Sequence, residues 1–238
     1  MTGTFLNIAT VLIGGALGLL LGPRLPDRIR ETVVAGLGLF TAAIGLDLFL
    51  DTQSAIVVLA SLLVGGVIGE WAQIEEMLSR MGEWLQKRFA SRAEGGSARF
   101  VRGFLTASLV FCVGPLTILG SIQDGLTGDY QLLAIKSVLD GFAAMVFAST
   151  LGVGVLFSTI VILVYQGALT LLASQAQTVF SEAMIAELTA TGGILLLGIA
   201  VSSLLELKPI RVGNFLPALV LAPLIVYLLS LFGISLIP

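Results

Sequence analysis

Long apolar stretches separated by short polar connections make up most of this chain. A helix that crosses a bilayer needs about 20 mostly apolar residues, and eight stretches approach or reach that length. They are residues 4–22, 32–50, 55–71, 103–122, 132–150, 155–173, 188–205 and 215–236. The third is short, and the break at 151–154 is inferred from its glycines, so six or seven spans with a re-entrant segment remain an alternative. The pattern predicts an all-α integral membrane protein with about eight transmembrane helices.

The basic residues are divided unequally between the connections. Eleven of the twelve Lys and Arg residues fall between alternate spans, at Arg24, Arg28, Arg30, Arg80, Lys87, Arg88, Arg92, Arg99, Arg102, Lys208 and Arg211. The opposite connections have no basic residue but contain Asp51, Asp124, Asp129, Glu182 and Glu187. Basic loops of membrane proteins stay in the cytoplasm. The charges therefore predict a multi-pass protein of the bacterial inner (plasma) membrane with both termini outside.

Composition agrees with this class and limits the chemistry. Apolar residues make up 57% of 238 positions and charged residues 11%, against about 25% charged in a soluble domain. The mean hydropathy is +1.05. One cysteine and no histidine exclude a disulfide within the chain and a histidine-based catalytic triad. We expect no metal site, no cofactor and no nucleic-acid partner. The expected partners are the lipid bilayer and a small solute or ion.

Residues 1–238 are predicted to form a single polytopic membrane domain with one cytoplasmic amphipathic segment at about 72–98. Apolar residues recur there at helical spacing, at Ile74, Met77, Leu78, Met81, Leu85 and Phe89. An interfacial linker and a regulatory or subunit-contact surface are both consistent with this pattern. Further along, Asn214 is predicted to cap the last span.

Two internal similarities predict a weak inverted repeat. Residues 12–18 resemble residues 63–69, and residues 36–46 loosely resemble the stretch 192–205. In the predicted topology the second pair crosses the membrane in opposite directions. Inverted repeats are common in secondary transporters, where they place a binding site near the bilayer midplane. The 28 glycines also favour close helix packing and a homo-oligomer.

Two ionisable residues lie inside the fifth span. A charged side chain at membrane depth costs about 2.5–3.5 kcal/mol on insertion scales, so each needs a reason to be there. Lys136 and Asp140 are four residues apart, which places them on one helix face. They can form a structural ion pair that holds helices together, or they can bind or conduct a solute.

The fourth span contains Gly114-Pro115 near its middle. Proline removes a backbone donor and breaks the helix, which frees the carbonyl groups near Phe111 and Cys112. Such a break is either an ordinary kink or part of a transport site. The candidate residues for a solute or ion path, drawn from spans four, five and six, are Cys112, Gly114, Pro115, Thr117, Ser121, Gln123, Asp124, Lys136, Asp140 and Gln166.

Four motifs give the chain a family resemblance. They are Gly36-Leu37-Gly38-Leu39-Phe40 with Ile44-Gly45, Cys112-Val113-Gly114-Pro115 with Gly120-Ser121-Ile122-Gln123-Asp124-Gly125, Lys136-Ser137 with Leu139-Asp140-Gly141, and Ile210-Arg211-Val212 with Leu216-Pro217-Ala218. With them the sequence resembles the YdfK/YqgA-type bacterial inner-membrane proteins over nearly its whole length. The resemblance implies a multi-span membrane protein of a kind commonly called a transporter. It implies no particular substrate.

Three classes of function follow from these features. The leading hypothesis is a transporter or channel for a small polar or ionic solute, with its site at the broken fourth helix and the fifth helix. A non-catalytic membrane scaffold would instead use the amphipathic segment as a docking surface. An intramembrane enzyme would need an Asp124–Asp140 carboxylate pair, a Ser-Lys pair or Cys112, and we do not expect enzymatic activity. No phosphate-binding loop is present.

Overall fold

A computed structural model describes residues 1–22, 26–89, 96–112, 115–173, 175 and 180–232. The helices are α1 (Thr2–Leu21), α2 (Asp27–Leu50), α3 (Ala55–Trp71), α4 (Ile74–Phe89), α5 (Gly96–Cys112), α6 (Pro115–Thr127), α7 (Gln131–Leu151), α8 (Gly154–Leu171), α9 (Glu182–Ile199) and α10 (Ala218–Leu231). A π-helical turn, Ala200–Leu204, extends α9, and a 3-10 turn, Val212–Phe215, precedes α10. The described residues contain no strand. The predicted all-α fold is confirmed.

The predicted span count agrees with the helices observed. Six helices are long and apolar enough to cross a membrane singly. Two further pairs pass the same test together, each bent at a short break: Ala55–Trp71 with Ile74–Arg80 by 56°, and Ala98–Cys112 with Leu116–Thr127 by 60°. The described residues therefore contain six to eight candidate spans. The break predicted at 151–154 is confirmed, because α7 ends at Leu151 and Gly152 takes a positive φ of 83°.

The chain divides into two compact units. Unit 1 comprises Met1–Leu37 and Ser79–Gln177, and unit 2 comprises Gly38–Leu78 and Thr178–Pro238. Each unit contains helices that are distant in sequence, so neither corresponds to one half of the chain.

In unit 1, α1 lies along α7 at a distance that only glycine permits. A Cβ atom on Gly14 would clash with the carbonyl oxygen of Gly141, and one on Gly18 would clash with that of Met145. Because the contacts advance in the same order on both helices, α1 and α7 run parallel. This close approach brings polar side chains of the two helices within hydrogen-bond distance.

In unit 1, side chains from other helices form hydrogen bonds with backbone groups at two helix ends. Arg99, near the start of α5, donates from Nε and Nη2 to the Thr150 carbonyl oxygen at the end of α7, at 3.1 and 2.9 Å. A cation at this position complements the helix dipole. At the opposite end of the unit, the Gly3 amide of α1 donates to Asp124 Oδ2 at 3.2 Å.

Unit 2 has its own core, with Val57 of α3, Met184 of α9 and Val226 of α10 packed together. Its α2 and α9 make a reciprocal contact: a Cβ on Gly45 would meet the Gly193 carbonyl oxygen, and a Cβ on Gly193 would meet that of Gly45. The two helices therefore cross at a distance that glycine permits. The inverted repeat stays a prediction.

Two residues of unit 2 differ from the sequence-based expectation. Glu187 was expected in an outer connection but is fully buried in α9. Its carboxylate accepts hydrogen bonds from the Gln53 and Ser54 amides at the start of α3, at 2.7 and 2.8 Å, and these bonds make the burial tolerable. Asn214 does not cap the last span. Its Oδ1 accepts from the Glu75 amide at 2.8 Å, so it caps the start of α4.

The parallel packing of α1 on α7 generates a stability prediction. Replacing Gly14→Ala forces the two helices apart and should cost about 1–3 kcal/mol, seen as a lower midpoint of thermal unfolding in detergent. The matched control is Gly36→Ala in α2, where a Cβ meets no atom within 4 Å. Equal midpoints for the two variants would contradict the observed packing.

The orientation stays a prediction and can be tested by cysteine labelling. In a Cys112→Ala background, Asp51→Cys should react with a membrane-impermeant maleimide in intact cells, and Lys208→Cys should react only after permeabilisation. Both positions are exposed, so lack of labelling would not reflect burial. The reverse pattern would invert the topology predicted from the basic loops.

Candidate functional site

The ion pair predicted within the fifth span is present in α7. Lys136 Nζ donates to Asp140 Oδ2, and both residues are buried, with 6% of each exposed. Charges taken out of water must be paired to be tolerated. Lys136 and Asp140 therefore meet on one face of α7, as their spacing of four residues predicts.

A third residue, Asn7 of α1, joins this pair to another helix. Asn7 Nδ2 donates to Asp140 Oδ2 at 3.0 Å and to Gln166 Oε1 at 3.1 Å. Asn7 and Gln166 are both fully buried. Asn7 was not among the residues predicted for the site. An asparagine inside an apolar span was the available signal, since a buried amide needs partners.

The polar contacts continue across α8. Gln166 Nε2 donates to Thr4 Oγ1 at 3.2 Å, and Thr4 Oγ1 lies 3.4 Å from Thr170 Oγ1. We call Lys136, Asp140, Asn7, Gln166, Thr4 and Thr170 the polar chain. It connects α1, α7 and α8 inside unit 1.

The polar chain lies within the span of each helix. At about 1.5 Å per residue, Asn7 is about 8 Å from the first residue of α1. By the same rise, Gln166 is about 8 Å from the last residue of α8, and Asp140 about 14 Å from the first residue of α7. These are the ends that the predicted topology places outside. In the predicted topology, the polar chain thus extends from near the outer surface into the bundle.

One acceptor in the polar chain has no donor. Because Asp140 and Gln166 offer oxygen atoms to Asn7, the Asn7 amide must present its NH₂ to them. Its Oδ1 is not used in either of these contacts, and within the described part of the protein no hydrogen bond reaches it. A buried oxygen without a donor is uncommon in native structures and calls for an explanation.

Side chains that follow the break between α5 and α6 donate hydrogen bonds to backbone carbonyl groups near it. Thr117 Oγ1 donates to the Phe111 carbonyl oxygen at 3.1 Å across the break, and Ser121 Oγ donates to the Thr117 carbonyl oxygen. The Phe111 carbonyl, which Pro115 deprives of a backbone donor, is therefore satisfied by a side chain of the protein. Gly114 lies outside the described residues, and Pro115 begins α6.

The remaining candidates separate into two groups. Cys112 is buried at the end of α5 as a free thiol. Gln123 and Asp124 form hydrogen bonds elsewhere: Gln123 Nε2 donates to Asp129 Oδ2 at 2.8 Å, and Asp124 Oδ2 accepts from the Gly3 amide at the start of α1. The structure thus brings Lys136, Asp140 and Gln166 together, and Cys112, Gln123 and Asp124 lie outside the polar chain.

The fold and the buried polar chain define a polytopic helical membrane protein with a charged pair inside one of its helical units. Residues 2–227 match a family described as "Protein of unknown function (DUF554)". The chain belongs to this family, which confirms the family resemblance read from the sequence motifs.

Two relatives align along most of their length. "Uncharacterized protein YqgA" of Escherichia coli (strain K12) is 34% identical over 221 residues, which cover 92% of this chain and 94% of the relative. "Uncharacterized membrane protein YdfK" of Bacillus subtilis (strain 168) is 28% identical over 238 residues, covering 98% and 99%. No solved structure matches the chain significantly.

The geometry of the pair predicts non-additive effects on stability. Lys136→Met and Asp140→Asn each leave one buried charge without its partner, and each should cost about 3–5 kcal/mol. The double variant leaves no charge and should lose less than the sum of the two single losses. The measurement is thermal unfolding in detergent, with N-methylglucamine as the added cation. Additive losses would show that the two side chains do not interact.

Proposed function

We propose that this protein is a transporter or channel for a small polar or ionic solute in the bacterial inner membrane. The observation that carries the proposal is the buried Lys136–Asp140 pair, bridged to α8 through Asn7. Ionisable residues inside membrane bundles are costly and mark solute and ion paths. The proposal is for a protein that moves a solute and not for an enzyme.

A purely structural ion pair explains this arrangement less well. A pair that only holds helices together is most stable when every polar atom around it is satisfied. Here the Oδ1 atom of Asn7, whose amide contacts Asp140, has no donor among the described residues. An unsatisfied acceptor beside a charged pair is expected where a solute or water visits during function.

The broken span supports the same location. Cys112 ends α5, and α6 starts at Pro115 with a bend of 60° between the two helical segments, which both pack against α7. Transporters commonly build their sites at discontinuous helices, because helix ends offer backbone groups to a solute. The polar chain and the break therefore support a single site in unit 1.

A transport assay in proteoliposomes tests the proposal. Wild type should give electrogenic currents or tracer flux for at least one solute in a panel of inorganic ions, amino acids and polyamines. Asp140→Asn should reduce that flux at least about tenfold, because it removes the only negative charge from the polar chain.

The control for this experiment is Asp47→Asn, which makes the same chemical change at an exposed position in α2. It should leave flux unchanged. Thermal unfolding of each variant shows whether it remains folded. Equal flux in wild type and a folded Asp140→Asn variant would contradict the proposed path.

A membrane scaffold is the second candidate, and one observation favours it. Helix α4 is amphipathic in sequence, and Met77 and Trp84 expose 60% and 58% of their surface. Such a helix can lie on the bilayer or dock a partner. A scaffold would keep its cellular phenotype in Asp140→Asn and lose it when Trp84→Glu disrupts the apolar face of α4.

A further inference from the structure

We propose that the polar chain binds a monovalent cation beside Asp140, in place of the positive charge that the Lys136 ammonium supplies in this structure. This inference rests on the proposed function, because it names the solute class for the same site. In it, Lys136 is an attached competitor that leaves Asp140 when the cation enters.

The first step of the argument is the way Asp140 is neutralised. Its Oδ2 accepts from Lys136 Nζ and Asn7 Nδ2, which are both side-chain donors. Lysine carries a compact ammonium group on a flexible four-carbon stem, and Lys136 lies one helical turn nearer the predicted outer surface than Asp140. Lys136 can therefore withdraw toward that surface without any change in the backbone, and Asp140 then needs another positive charge.

The second step is the unpartnered amide oxygen. Asn7 is fully buried, and its Oδ1 receives no hydrogen bond in the described residues. It belongs to the same amide that touches Asp140, so a cation beside Asp140 can reach both oxygens. An anion at this position would instead be repelled by the Asp140 carboxylate and by the amide oxygen.

The third step is the charge of the ligand. Within the described residues, no group of three or more His, Cys, Asp or Glu side chains is placed to hold a metal. Ca²⁺ takes six to eight oxygen ligands, usually including several carboxylates. One carboxylate with a neutral amide oxygen matches a single positive charge. An alkali-metal ion and a small primary ammonium ion share this chemistry.

The test measures cation binding without transport. Lys136→Met is unfolded thermally in detergent at constant ionic strength while NaCl, KCl or methylammonium chloride replaces N-methylglucamine chloride. At least one cation should raise the midpoint in a saturable manner. Its half-saturating concentration should be about tenfold or more below that of wild type, because the attached competitor has been removed. The cation that acts identifies an alkali metal or an ammonium ligand.

Two matched variants make the response specific. In the Lys136→Met/Asp140→Asn variant the cation response should disappear. In Lys136→Met/Asn7→Leu it should weaken about tenfold, since one oxygen ligand is lost. If Lys136→Met does not fold, Lys136→Gln replaces it, and a neutral polar side chain then occupies the same space.

The outcomes separate this inference from the proposed function. No specific response to any of the three cations, or an equal response in the Asp140→Asn double variant, overturns the cation site. Flux of a neutral or anionic solute that depends on Asp140, without cation binding, keeps the transporter and rejects the cation. Saturable cation binding that depends on Asp140 supports the site even if no flux is found.

Discussion

The Asp140 carboxylate is the group on which the interior of unit 1 depends. It is buried in a helix that crosses an apolar region, so its charge must be met by protein groups. Lys136 supplies the charge from the same helix, and Asn7 supplies a hydrogen bond from α1. The second contact requires α1 and α7 to lie almost backbone to backbone. Glycine is needed at positions 14 and 18 because a Cβ atom there would clash with the backbone of α7.

Much of this arrangement can be predicted from local sequence. Hydrophobic length predicts the helices, the glycines at 152 and 154 predict the break before α8, and the four-residue spacing predicts that Lys136 meets Asp140. Asn7 could not be assigned as the bridging residue, because its partners lie 133 and 159 positions away. Nothing in the local pattern shows which distant helices a buried amide will contact. A single sequence carries little information about such long-range pairing.

The acidic residues that the sequence places in the outer connections show a second limit of prediction from sequence. Asp124 and Glu187 fit outer connections by charge and position, yet both are buried at the start of other helices, α1 and α3. The first turn of a helix leaves amide groups without partners and carries a positive partial charge. A carboxylate from elsewhere in the chain satisfies both needs. Sequence patterns reveal a helix's own capping residue more readily than a cap provided by a distant helix.

The buried carboxylates therefore differ in how they are held, and this difference is the reason we propose a role in function for Asp140. Glu187 accepts from two backbone amides and from Thr52 Oγ1, and Asp124 accepts from the Gly3 amide and pairs with the Met1 ammonium, both main-chain groups at the start of α1. Backbone donors at a helix start cannot leave unless the helix unwinds. Asp140 is held by the side chains of Lys136 and Asn7, which can change rotamer while α1 and α7 stay packed. A carboxylate with replaceable partners can exchange one cation for another, whereas a carboxylate held by backbone amides serves to fix a helix end.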